Sequence, residues 1–144
     1  MSRRGAASLL LALYLVLLGF VAAWPTPVDR PLDAQLLRVI DRIQEAGFPW
    51  VDYAVVESAA NVVLFVPLGV LLAALFRRGW VVLALVGVVA ATVTIELVQR
   101  EFLPARVSSL GDIAANSVGG ALGVGLVVLV RATRWSRRRR AARA

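Results

Sequence analysis

The chain has 144 residues, 60% of them hydrophobic, and a mean hydropathy of +0.79; that is long enough for one compact domain but too apolar for an ordinary soluble one. Cysteine and histidine are both absent, which excludes disulfides, thiol nucleophiles, zinc sites of the usual kind and a histidine base. There is no lysine, so the net charge of +7 is an arginine excess; such a balance can signal nucleic acid, but the arginine distribution below assigns it to a membrane and not to nucleic acid.

A helix needs about 20 apolar residues to cross a ~30 Å hydrocarbon core. The first such run covers residues 5–24. Arg3 and Arg4 ahead of it, with Val21-Ala22-Ala23 near its end, also fit a cleavable signal peptide. The run is longer than a usual signal-peptide core, and Trp24-Pro25 suits a helix end at an interface, so a retained helix is the favoured reading.

The loop 25–58 contains an amphipathic helix. Pro31 is placed to start it and Gly47 to stop it. Leu32, Leu36, Ile40 and Ile43 recur at helical spacing, and Asp33, Arg38, Asp41, Arg42 and Glu45 fill most of the rest. This helix is expected to lie on the outer membrane surface or to cap the bundle, packing as a lid in preference to binding a partner.

The second span covers about 59–76 and the third 80–98, joined by a tight hairpin around Arg77, Arg78 and Gly79. Pro67 removes a backbone donor within the second span and is expected to kink it. The fourth span covers 113–130, and a basic tail follows over 131–144. Gly119 and Gly123 form a GxxxG pattern that lets another helix approach closely; the partner is either within the chain or a second copy in a homo-oligomer. Gly69 and Ala73 give the second span a weaker small-residue face. The expected fold is therefore all-α: one polytopic membrane domain over 1–144, with four transmembrane helices and an extracytoplasmic amphipathic helix between the first and second.

Orientation follows from arginine. With the N-terminus in the cytoplasm, the inside carries Arg3, Arg4, Arg77, Arg78, Arg131, Arg134, Arg137, Arg138, Arg139, Arg140 and Arg143, and no acid. All nine acidic residues fall outside or at outer helix ends. Both termini are thus expected in the cytoplasm. Trp24, Trp50, Tyr53, Trp80 and Trp135 fall at interfaces, as an aromatic belt would have them. The arginines of the tail read as an orientation and stop-transfer signal, with anionic inner-leaflet lipid as their nearest partner.

Polar groups within membrane helices are costly and usually face the bundle interior or a wet cavity. Asn61 lies early in the second span. Glu96 and Gln99 end the third on one face, Arg100, Glu101 and Arg106 follow in the loop, and Asp112 and Asn116 open the fourth, again on one face. At ~1.5 Å per residue, Asn61, Glu96 and Asn116 each lie roughly 6 Å below the outer surface. Taken one at a time, these residues can snorkel, cap a helix or bond between helices. One shared site explains their common depth better.

The blocks Asn61-Val-Val-Leu-Phe-Val-Pro67-Leu-Gly69, Ile95-Glu96-Leu-Val-Gln99, Arg106 and Asp112-Ile-Ala-Ala-Asn116-Ser-Val-Gly119-Gly120 resemble the VanZ-like family. They span roughly Asn61 to Gly123. The resemblance implies a multi-pass protein of the bacterial cell (plasma) membrane, related to a protein associated with low-level resistance to the glycopeptide antibiotic teicoplanin. It supplies no biochemical activity. The family often has an acidic residue three before the Asp112 position, where this chain has Ser109, so a site needing two carboxylates in that loop is not implied here.

Three functions are open. The first is a non-enzymatic cell-envelope protein whose outward polar site, built from Asn61, Glu96, Gln99, Arg106, Asp112 and Asn116, binds a membrane lipid, a lipid-linked wall precursor or a glycopeptide antibiotic and contributes to antibiotic resistance. Arg100 and Arg106 would hold phosphate or carboxylate. The second is a membrane-embedded enzyme acting on an envelope lipid or glycan through Glu96 and Asp112. Those two acids and Asn116 have the hard-oxygen chemistry that takes Mg²⁺ or Ca²⁺, but no cofactor and no resident metal is expected. Ser108, Ser109 and Ser117 lack an identifiable activating base. The third is transport, which the absence of charge from the inner two-thirds of every span disfavours. Of the three, binding is the preferred reading.

Overall fold

The computed structural model describes residues 2–23, 33–102 and 110–142. Within them the chain forms α1 (Arg3–Ala22), α2 (Asp33–Glu45), α3 (Tyr53–Leu75), a 3-10 turn (Arg78–Trp80), α4 (Val81–Phe102) and α5 (Leu110–Ala141), with no strand among the described residues. The helices α1, α3, α4 and α5 are each long and apolar enough to cross a membrane. This is an all-α, multi-pass membrane protein, with the amphipathic α2 between its first and second spans.

Local chemistry sets the helix ends. Ser2 caps α1 by accepting from the Gly5 N–H at 3.1 Å. The α2 helix ends in a Schellman motif: Gly47 adopts φ +102°, its N–H bonds the Gln44 carbonyl at 3.1 Å, and the Phe48 N–H bonds the Ile43 carbonyl at 3.3 Å. Gln44 then donates to the Val51 carbonyl at 2.8 Å and holds the connection to α3. Along α2, Ile40 is buried and Leu36 and Ile43 half-buried, while Arg38, Asp41 and Arg42 are exposed; Leu32 lies outside the described residues. The helix α3 begins at Tyr53, earlier than the residue 59 expected, because Asp52 accepts from the Val55 N–H at 2.9 Å and nucleates an additional first turn.

At the other end of the chain, α5 does not stop near residue 130 but runs through the arginine segment to Ala141. Arginine and alanine are strong helix formers, and no glycine or proline interrupts the segment. At ~1.5 Å per residue its 32 residues reach about 48 Å, well beyond a ~30 Å core. The Arg139 guanidinium lies 3.7 Å from the Trp135 ring centroid, one helical turn away.

The most extensive helix contact is that of α3 with α5, and small residues permit it. A Cβ added at Gly69 would overlap the Gly120 carbonyl oxygen. One at Gly119 would overlap that of Val62, and one at Gly123 that of Val66. Of the two partners open for the GxxxG face, the structure seats α3 of the same chain on it. The α4 helix closes the bundle, with Val88 against Gly120 and Ala84 packed with Ala73 and Val124. The α1 helix lies on α3, where Leu18 joins Phe65, Leu68 and Val88 in a buried cluster. The Tyr14 hydroxyl donates to the Leu64 carbonyl, three residues before the helical proline, Pro67. Where α3 ends, Arg131 of α5 donates through Nη2 to the Ala73 carbonyl at 2.8 Å and the Ala74 carbonyl at 3.4 Å. It thereby satisfies acceptors that the last turn of any helix leaves without partners.

The bundle therefore has two unlike ends. One gathers Arg77, Arg131 and the arginines of α5. The other gathers Asp52, Glu57, Glu96, Glu101 and Asp112.

Candidate functional site

At the carboxylate end, the last turn of α1, the first turns of α3, the last turns of α4 and the first turns of α5 surround a cavity of about 310 Å³. Its apolar wall is Leu18, Val21, Leu64, Phe65 and Ile95, and its polar wall is Tyr53, Glu57, Asn61, Glu96, Gln99, Asp112 and Asn116. Five of the six candidate residues thus share one space. Arg106, the sixth, lies outside the described residues, as do Ser108 and Ser109.

The polar wall is held in place by bonds between helices. Asn61 of α3 donates through Nδ2 to Asp112 Oδ1 of α5 at 2.9 Å. Asn116, one turn further along α5, donates through Nδ2 to Thr92 Oγ1 of α4 at 2.9 Å. Gln99 of α4 donates to the Ala22 carbonyl at 3.1 Å, so it closes the last turn of α1 against α4. The polar residues therefore link all four spans at this end.

Glu96 sits one turn from Thr92 on the same face of α4 and is only 5% exposed, while Asn116 is 4% exposed and Thr92 is fully buried. A carboxyl group this deep normally has all its oxygens satisfied. Here Glu96 Oε2 and Asn116 Oδ1 are both buried with no hydrogen-bond partner.

Two charged residues considered with the site stand apart from it. Arg100 and Glu101 are exposed on the last turn of α4 and do not line the cavity. Ser117 also lies outside the lining. Among the described residues, no three Asp or Glu side chains come close enough to grip one metal ion.

Sequence reasoning missed three contributors. Glu57 and Tyr53 belong to the early turns of α3, which a start at residue 59 leaves in a loop. Asp52 placed as a helix cap would have recovered them. Thr92 is one turn from Glu96 on the same helix face, a spacing legible in the sequence, but threonine within an apolar run carries little signal because its hydroxyl commonly bonds its own helix.

The VanZ/LLP1 family model matches residues 7–131, a stretch that reaches into all four spans and contains every described residue lining the cavity. No curated protein and no solved structure matches the chain.

Proposed function

This chain belongs to the VanZ/LLP1 family, and from that premise we propose that its cavity binds the polar headgroup of an envelope lipid or lipid-linked wall precursor in a bacterial plasma membrane. The observation that carries the reading is the two-sided lining. Glu57, Asn61, Glu96, Gln99, Asp112 and Asn116 face one space with Leu18, Leu64, Phe65 and Ile95. An amphiphile presents that same division, with a polar head continuous with an apolar chain.

Orientation makes the reading an envelope one. The arginine end is cytoplasmic, because positively charged segments are retained on that side. The carboxylate end, with α2 beside it, then faces the outer leaflet. Lipid reaches the cavity laterally or from the outer surface. A partner role for Arg106 rests on its place in the sequence, between Glu96 and Asp112.

A cavity of about 310 Å³ is large enough for a polar headgroup. A contribution to glycopeptide resistance would act through the lipid or wall precursor that the protein holds. The enzymatic alternative keeps one observation in its favour: Glu96 and Asp112 line the same cavity. Purified protein incubated with envelope lipid extract separates the two, since an enzyme leaves a changed lipid and a binder leaves it intact.

Native mass spectrometry of the detergent-extracted chain tests the binding reading. Wild type should carry about one tightly held lipid. Ile95→Trp, which fills the cavity, should lose it. Val63→Trp, on a face of α3 that is 70% exposed, should keep it. Equal retention in all three would refute a headgroup site in this cavity.

A further inference from the structure

The end of the bundle away from the cavity carries charge that the bundle does not answer. Arg134, Arg137, Arg138 and Arg140 are exposed on the last turns of α5, and Arg77 is exposed at the hairpin between α3 and α4. No acid follows Asp112 on α5, and none lies between the end of α3 and the start of α4. At ~1.5 Å per residue, Asp112 is roughly 33 Å from Arg134 along the helix. Glu57 lies near the start of α3, and Glu96 and Glu101 near the end of α4, so their carboxylates belong to the opposite end as well. Among the described residues, these four helices bring no carboxylate to the arginine end.

Helix continuity decides how this charge is presented. The α5 helix is unbroken to Ala141, and successive residues of an α-helix are turned by about 100°. Arg137, Arg138, Arg139 and Arg140 therefore leave the helix in four directions and encircle it. Arg131 marks the end of the bundle, where its Nη2 donates to the Ala73 carbonyl at 2.8 Å. At ~1.5 Å per residue the four arginines begin roughly 9 Å past it, close to the far edge of a headgroup layer about 5–8 Å thick in each leaflet. The Cα–Cβ bonds of a helix tilt toward its N-terminus, which for this part of α5 is toward the membrane, and long arginine stems let the guanidinium groups reach back in the same direction. Trp135, with the Arg139 guanidinium 3.7 Å from its ring centroid, falls between Arg131 and this ring of charge, as an interfacial tryptophan does.

We propose that this end of α5 is a second lipid site, an arginine collar that holds the phosphates of several anionic phospholipids in the leaflet on its side of the membrane. A guanidinium matches a phosphate with two parallel N–H donors, which an ammonium cannot do. The encircling arrangement selects lipid over a soluble polyanion. A protein or nucleic acid docks on one face of a helix and leaves the opposite arginines unused. The phosphates of a leaflet surround a crossing helix on every side. The collar is separate from the cavity: it lies at the other end of the bundle, and none of its arginines lines that space.

The test is electron paramagnetic resonance of spin-labelled phosphatidylglycerol and phosphatidylcholine around the full chain in nanodiscs, which gives the number of lipids held at the protein surface and the preference between them. Nanodiscs with identical leaflets make the readout independent of orientation, and repeating it with Ile95→Trp removes any contribution from the cavity. A basic residue near an anionic surface contributes about fivefold in affinity, so phosphatidylglycerol should be preferred about fivefold, and the preference should fall as salt rises. Changing Arg137, Arg138, Arg139 and Arg140 together to Gln, which has a helix propensity close to that of Arg, should bring the preference close to one. The paired changes Arg137→Gln with Arg138→Gln, and Arg139→Gln with Arg140→Gln, should each release about half of the retained phosphatidylglycerol. Arg38→Gln with Arg42→Gln, at exposed positions on α2, should release none. Equal association of the two lipids with wild type would overturn the proposal. So would loss of the whole preference through one pair alone, which would mean a one-sided face, or an equal loss through the α2 pair. Binding of a short RNA to the same discs, abolished by the fourfold change while no lipid preference is seen, would assign the arginines to nucleic acid and overturn it as well.

Discussion

Asn61 Nδ2 lies 2.9 Å from Asp112 Oδ1, a bond that joins α3 to the first turn of α5 across 51 residues of sequence. Both residues line the cavity. Interhelical bonds within membranes average about 0.6 kcal/mol, and bonds to charged acceptors are worth about 1.5–3. A half-buried pair near a helix end falls between, at about 1 kcal/mol. Asn61→Leu and Asp112→Leu should therefore show a coupling of that order in a double-mutant cycle on thermal stability in detergent. Asp112 has further interactions besides Asn61, so its single change should be the more damaging. Strict additivity would mean that the bond does not contribute to holding the two helices together.

The α3–α5 seam gives a sharper expectation. Any side chain at Gly123 meets the Val66 carbonyl, and one at Gly69 meets the Gly120 carbonyl. Backbone cannot step aside as a flexible side chain can, so the helices must separate. Gly123→Val should destabilise the fold by about 3 kcal/mol, at the upper end of ordinary overpacking. Gly125 has no atom within 4 Å of an added Cβ, and Gly125→Ala should be neutral or up to about 1 kcal/mol stabilising through helix propensity. Equal effects at the two positions would show that α3 and α5 do not approach this closely.

Topology is open to a labelling test. Ala34, Gly79 and Ala142 are all exposed on the protein surface, so their reaction with an impermeant thiol reagent reports the side of the membrane they occupy. In a chain that has no cysteine of its own, Ala34→Cys should react in intact cells. Gly79→Cys and Ala142→Cys should react only after permeabilisation. Labelling at residue 79 from outside would invert the orientation and put the cavity in the inner leaflet.

The extent to which the sequence foretold these features follows from the physics of each one. Glu96, Asn61 and Asn116 were found by counting depth along helices, because a bilayer turns residue number into height and makes a buried polar group conspicuous. Their convergence needed only that the four spans form one bundle. Ends were harder to read. Asp52 and Arg131 act on backbone groups one turn away or on another helix, and neither leaves a hydropathy signal. Arg131 reads as a topology marker in the sequence, yet in the fold its guanidinium caps α3. The length of α5 was underestimated for a related reason: hydropathy marks where a helix leaves lipid, not where it stops being a helix.

The central claim, that this cavity holds the headgroup of an envelope lipid, is tested most directly by photocrosslinking in cells. Tyr53, which lines the cavity, is replaced by benzoylphenylalanine in a bacterial host, and the irradiated protein is weighed intact. Trp80, 61% exposed at the arginine end of the bundle, serves as the reference for bulk lipid. The account predicts a discrete lipid adduct at position 53 that disappears when Glu96→Gln is added, and an adduct at position 80 that is indifferent to Glu96. Lipid adducts of the same yield and composition at both positions, unaffected by Glu96→Gln, would contradict it.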